Sequence, residues 1–227
     1  MEHIIKEILP FAIGIALSPM AIAAIILMLF TQKARSNSLA FLAGWALGIS
    51  IVGVVVLALV NVGVSMLGGG SQTIDLGIVK VIFGVLLFVA AAMEWRGRTP
   101  KGQEPEMPKW MVAIDKISAG KALGLAIFLS ALPKNLMLNV TATTTIANAG
   151  LAVGEQIIAL FIFIIVANLT IAAIVMLYLF TGERSEKILA TWKTWMIVHN
   201  STALTVLYVV YGFILVIPQI ISLLDKS

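Results

Sequence analysis

Hydrophobic positions in this chain gather into long blocks separated by short polar intervals. Six blocks reach the roughly 20 apolar residues that a bilayer span requires. They cover residues 8–30, 38–62, 76–94, 121–149, 154–181 and 198–224. The pattern predicts an all-α integral membrane protein with six transmembrane helices. The first block could be taken for a signal peptide, because Ala21-Ile22-Ala23 resembles a small-residue cleavage site. Glu2 and Glu7 offset Lys6, however, and the apolar run continues to Phe30, so a retained first helix is expected.

The longest polar interval, Trp95 to Lys116, holds Pro100, Pro105 and Pro108 among mixed charges. It divides the chain into a first three-helix unit (1–94), a linker (95–120) and a second three-helix unit (121–227). Trp110, Met111, Ile114 and Ile117 share one helical face, as do Ile188, Leu189, Trp192, Trp195 and Met196 after the fifth block. Both stretches are expected to be short helices lying in the membrane interface.

Composition strengthens this picture. At 60% hydrophobic and 11% charged, the 227 residues lie far from the balance of a water-soluble enzyme. The absence of cysteine excludes thiol redox chemistry and cysteine-ligated metal, and His3 and His199 alone supply no metal site. No metal or other cofactor is expected. The net charge of +4 acquires meaning once its bearers are placed. Of fifteen Lys and Arg, eleven fall between blocks one and two, three and four, or five and six, or at the first residue of block four: Lys33, Arg35, Arg96, Arg98, Lys101, Lys109, Lys116, Lys121, Arg184, Lys187 and Lys193. Basic residues favour the cytoplasmic side, so both termini are expected outside. The charge reports orientation, with lipid headgroups as a secondary attraction, and gives no reason to expect nucleic acid.

The two units carry local similarities. Ala16-Leu17-Ser18-Pro19 in block one parallels Ala131-Leu132-Pro133 in block four, and Phe83-Gly84-Val85-Leu86-Leu87-Phe88-Val89 parallels Tyr211-Gly212-Phe213-Ile214-Leu215-Val216-Ile217. Three spans per unit make the copies enter the membrane from opposite sides, an inverted-topology repeat. Pro19 lies roughly 16 Å into its block, and Pro133 roughly 18 Å in from the opposite face. Proline lacks the helical N–H donor, so spans one and four are expected to be broken near the midplane. Facing breaks would form a polar pocket there.

Lys134 follows Pro133 directly, and a lysine at this depth costs about 2.5–3.5 kcal/mol on insertion scales. Asn135, Asn139 and Thr141 continue the polar side of the same helix, and Thr143, Thr144 and Thr145 add hydroxyls. An ammonium, amides and a helix N-terminus together suit a carboxylate, sulfate or phosphate. Alternatively, Lys134 bonds carbonyls freed by Pro19 and only seals a helix interface. Ser18, Ser50, Asn168 and Thr170 are further candidate lining. Glu94 and Arg96 at the end of span three, with Asn200 near the start of span six, are candidates for an inner gate. Gly44/Gly48 and Gly120/Gly124 repeat a spacing that lets helices approach closely, within the monomer or in a homodimer. No phosphate-binding loop, HExxH or GxSxG occurs, and no acidic residue lies mid-span. An enzyme is not expected.

Ala16-Leu17-Ser18-Pro19, Ala40-Phe41-Leu42-Ala43-Gly44-Trp45-Ala46-Leu47-Gly48, Glu94-Trp95-Arg96, Pro108-Lys109-Trp110-Met111 and Pro133-Lys134-Asn135 together resemble the GAP family, the actinobacterial Sap-like peptidoglycolipid- or sulfolipid-addressing proteins of the LysE transporter superfamily. At the break in span four that family usually reads Asn-Pro-Lys-Asn, whereas Leu132 stands here in the first position. The resemblance implies a multi-pass transporter of the cytoplasmic membrane that moves glycolipid towards the cell envelope. Its partners would be membrane lipids and an anionic glycolipid, alone or in a larger export complex. A LysE-type exporter of amino acids or ions, and an accessory subunit of a lipid exporter, remain alternatives.

Overall fold

A computed structural model describes residues 1–66, 77–97, 117–182 and 186–224, and all regular elements among them are α-helices. They are α1 (Glu2–Ala16), α2 (Pro19–Leu29), α3 (Ala34–Met66), α4 (Gly77–Arg96), α5 (Ala119–Ser130), α6 (Pro133–Ala147), α7 (Val153–Thr181) and α8 (Glu186–Leu224). By length and hydropathy, α3, α7 and the 201–221 portion of α8 can each cross a membrane, as can α1 with α2 and α5 with α6 if each bent pair is one span. Large apolar side chains face outward, including Leu59, Phe161, Leu169 and Phe180. A polypeptide with this outer surface is a multi-pass membrane protein.

The two bent pairs share one backbone design. Each first helix ends in a residue near the bridge region, Leu17 (φ −89°, ψ 30°) and Ala131 (φ −91°, ψ 2°). An extended residue follows, Ser18 (φ −72°, ψ 108°) and Leu132 (φ −59°, ψ 148°), as the residue before proline prefers. Pro19 and Pro133 then open the second helices, where a missing N–H costs nothing. The axes turn by 47° at the first break and 65° at the second. Both expected interruptions are therefore present.

The broadest interfaces join α4 to α8 and α3 to α5. Glycine makes both possible. A Cβ at Gly44 would strike the backbone of Leu123, and one at Gly48 would strike Ser130, so α3 and α5 touch almost backbone to backbone. Gly120 and Gly124 have open space beside them within the chain. Between α4 and α8 the contacts are reciprocal: Gly84 lies under Val216, and Gly212 lies under Phe88. Four residues separate glycine from partner on both helices.

A second correspondence lies at the starts of α3 and α7. The fourth residue of each helix is a buried amide, Asn37 and Gln156. Asn37 Nδ2 reaches back to Thr31 Oγ1 at 3.1 Å, and Gln156 Nε2 reaches back to the carbonyl of Leu151 at 3.0 Å. Each ties the start of its helix to the loop before it. The core runs through α2, which is buried on nearly all sides, as a helix apolar around its whole circumference must be.

One expectation is corrected. Residues 188–196 do not form a separate interfacial helix, because α8 continues unbroken from Glu186 to Leu224. Polar residues lower the hydropathy around Thr191–Asn200, but the sequence has neither glycine nor proline before Gly212 to interrupt the helix. The other expected interfacial helix, around Trp110, lies outside the described residues apart from Ile117.

Candidate functional site

At the first break, α1 runs out of N–H donors. Leu17 N–H bonds the carbonyl of Ile13, and Ser18 N–H turns back to Ile15, so neither serves Gly14. That carbonyl accepts from the ammonium of Lys134 at 2.8 Å, across 120 residues of sequence. Lys134 is the second residue of α6 and only 6% exposed. Its charge therefore lies against the negative end of the α1 dipole and at the positive end of its own helix. Among the described residues no carboxylate pairs with it.

The second break is closed from inside. Asn135 Nδ2 donates to the carbonyl of Leu129 at 2.9 Å and to Ser18 Oγ at 3.4 Å. The first bond caps the end of α5, and the second joins the two breaks directly. One turn further along α6, Asn139 Nδ2 donates to the carbonyl of Ile49 on α3 at 2.9 Å, while its Oδ1 accepts from Thr143 at 3.2 Å. Buried Thr141 offers its carbonyl to the Thr145 hydroxyl at 2.9 Å. Side chains of α6 thus bond backbone carbonyls of α1, α3 and α5.

Among the described residues three buried amide oxygens remain open, and Asn37 at the start of α3 carries one of them. Asn135 Oδ1 and Asn168 Oδ1 have no hydrogen-bond partner, although the amide nitrogen of each is bonded, that of Asn168 to its own helix at Ile164 (2.7 Å). Orphan oxygens at this depth are uncommon and costly. They can accept from a hydroxyl group.

Ser18, Pro19, Pro133, Lys134 and Asn135 come together at the two breaks, with Asn139 and Thr141 along α6. They form a closed polar seam rather than the open polar pocket expected from facing breaks. Glu94 and Arg96 lie at the far end of α4, half-buried and exposed respectively, and neither joins an ion pair among the described residues. The side chain of Asn200 lies outside the described residues. No cluster of metal-ligating side chains occurs among the described residues.

Several contributors were not anticipated from the sequence. Gly14 is one: a Cβ there would overlap the ring of Tyr211, whose hydroxyl donates to the carbonyl of Pro10 at 3.1 Å. Asn61 is another, its Nδ2 bonding Gln156 Oε1 at 2.9 Å between α3 and α7. Polar residues inside apolar blocks were the available signal for Asn61, and none marked Gly14.

Beside the seam lies a cavity of about 760 Å³ whose wall includes Leu17, Pro19, Ile22, Trp195, His199 and Leu207. Of the anticipated site residues, Pro19 and Thr170 contribute to its lining. A family model described as Sap, sulfolipid-1-addressing protein, matches residues 8–219. No curated protein and no solved structure matches the chain.

Proposed function

The chain belongs to the family of Sap, sulfolipid-1-addressing proteins, and from that premise we propose that it is a transporter that moves an anionic amphiphile, a glycolipid or similar lipid headgroup, out across the cytoplasmic membrane. The observation that carries this reading is the bond from Lys134 to Gly14. An amine held at two facing helix breaks, with a neutral carbonyl as its hydrogen-bond partner and no carboxylate paired with it among the described residues, is a donor that an anion can claim. When a sulfate, phosphate or carboxylate arrives, it takes the ammonium from Gly14 and also meets the N-terminus of α6. The open oxygens of Asn135 and Asn168 accept hydroxyl donors, which a sugar headgroup supplies. Ser18, Asn139 and Thr141 complete the polar lining.

In this reading there are six spans: α1 with α2, α3, α4, α5 with α6, α7 and α8. They form two inverted three-helix repeats, as in the LysE superfamily. Support comes from the matched backbone of the two breaks, the reciprocal contacts of Gly84 and Gly212, and the paired amides Asn37 and Gln156. The distribution of basic residues supports both termini outside. Rocking of one repeat against the other would part Lys134 from Gly14 and expose the seam alternately to each side. The chain carries its substrate without modifying it, and its partners are membrane lipids and the lipid it moves.

Mass spectrometry of lipids that copurify with the protein tests the reading. The wild type should retain an anionic, hydroxyl-bearing lipid that Lys134→Ala loses. Equal lipid profiles for the two proteins would overturn it.

A further inference from the structure

The apolar cavity is not explained by the headgroup site. Its wall on α8 takes residues from Thr191 to Leu207 at three- and four-residue spacing, a single helical face roughly 24 Å long at 1.5 Å per residue. Opposite this face stand Leu17, Pro19 and Ile22 from the first break, with Thr170 from α7. Leu17, Trp195 and Val206 are each about half exposed, at 47%, 55% and 55%, so the cavity opens sideways towards lipid. One end holds Trp192, Trp195 and His199, just before the apolar part of α8 begins at Ser201. The other end reaches the break, where Ser18 bonds Asn135.

We propose that this groove holds one acyl chain of a membrane lipid, taken from the leaflet at which α8 begins. The inference rests on the lipid-transport reading for its purpose, but its physical basis is separate. The volume lies within the roughly 300–1,000 Å³ of a ligand pocket. The lining is aliphatic and aromatic, with threonines and His199 as its polar members. Trp195 stacks on His199 with ring centroids 5.0 Å apart, which places an amphipathic aromatic pair at the mouth. Such pairs suit the level of lipid headgroups. A second transmembrane helix is a poorer occupant, because close approach in lipid runs through small residues and on the α8 wall Thr191, Thr202 and Ala203 are separated by the bulk of Trp195, His199 and Val206. Under the proposed orientation the loading leaflet is the cytoplasmic one. A tail in the groove lies against Leu17 and Pro19 at the break, with its headgroup at the level of Trp195 and His199.

Photolabelling decides the matter. The full chain is reconstituted in liposomes of phosphatidylethanolamine and phosphatidylglycerol that contain a phospholipid with a diazirine near the end of one acyl chain. Label is then mapped by peptide mass spectrometry. It should concentrate on Leu17, Ile22 and Val206 above the level on Phe161 and Leu169, which face lipid on α7. Ala203→Trp should reduce groove labelling to that level and leave the α7 labels unchanged. Val206→Phe, at a half-exposed position that accepts added bulk, should lower it in the same direction if Ala203→Trp does not fold. Groove labelling no stronger than on α7, indifference to both substitutions, or crosslinks to a second copy through α8 would each overturn the proposal. Specific labelling in a protein that moves no lipid would leave the groove standing and remove the transport reading. Transport without specific labelling would do the reverse.

Discussion

The ammonium of Lys134 and the carbonyl of Gly14 meet at 2.8 Å, and each is at the end of a half-helix that proline interrupts. Lysine supplies the donor that α1 lacks. The same pair accounts for how a cation persists in an apolar protein and why it remains available to a ligand.

Gly14 is constrained from the other side by Tyr211. Gly14→Ala places a methyl group in the Tyr211 ring, and overpacking of this kind costs about 1–3 kcal/mol. The expected outcome is a lower melting temperature in detergent, with partial recovery in Gly14→Ala combined with Tyr211→Leu. An unchanged melting temperature for the single variant would mean that α1 and α8 are further apart than described.

The two glycine pairs should behave differently. Gly44→Ala strikes the Leu123 backbone and should destabilise the protein by about 1–3 kcal/mol. Gly124→Ala enters open space on a helix, where alanine is favoured over glycine by about 1 kcal/mol, and should be neutral or stabilising. Thermal denaturation of both variants checks this. A strong loss at Gly124 would indicate that an unseen partner packs against α5.

Asn135→Leu removes the donor to Leu129 and Ser18 but also removes a buried oxygen without a partner. The Leu129 carbonyl loses one donor and keeps the N–H of Leu132 at 3.3 Å, and relief of the open acceptor, about 1–3 kcal/mol, offsets that loss, so stability should change little. Binding of a hydroxyl-bearing headgroup should weaken all the same. Retained binding with intact stability would exclude Asn135 from the site.

The breaks were legible in the sequence because proline carries its own geometric consequence: no N–H at Pro19 or Pro133, and an extended residue before each. Lys134 was legible because a charge among apolar residues is conspicuous. Its partner was not, since Gly14 contributes only a backbone atom and lies 120 residues away. The groove escaped notice for a related reason. Trp192 and Trp195 read as one face of a short interfacial helix, whereas the unbroken α8 aligns them with Val206 and Leu207. The paired glycines were visible as similar strings, but their reciprocal contacts with Phe88 and Val216 required three dimensions.

The lack of cysteine makes orientation directly measurable. Single Glu2→Cys and Ala152→Cys variants should react with a membrane-impermeant maleimide in intact cells, and Lys33→Cys should react only after permeabilisation. The opposite pattern would place the termini inside and invert the direction assigned to the groove.

The most direct test of the central claim is translocation of a fluorescent anionic glycolipid by the purified chain in liposomes, comparing wild type, Lys134→Met and Lys134→Arg. Methionine fills a similar volume without charge but leaves the Gly14 carbonyl without its donor, at a cost of about 1–3 kcal/mol, so Lys134→Met should fold with a modestly lowered melting temperature. Translocation should be present in the wild type, absent in Lys134→Met and at least partly restored in Lys134→Arg. Wild-type rates in a folded Lys134→Met protein would contradict the account and reduce Lys134 to a seal between helices.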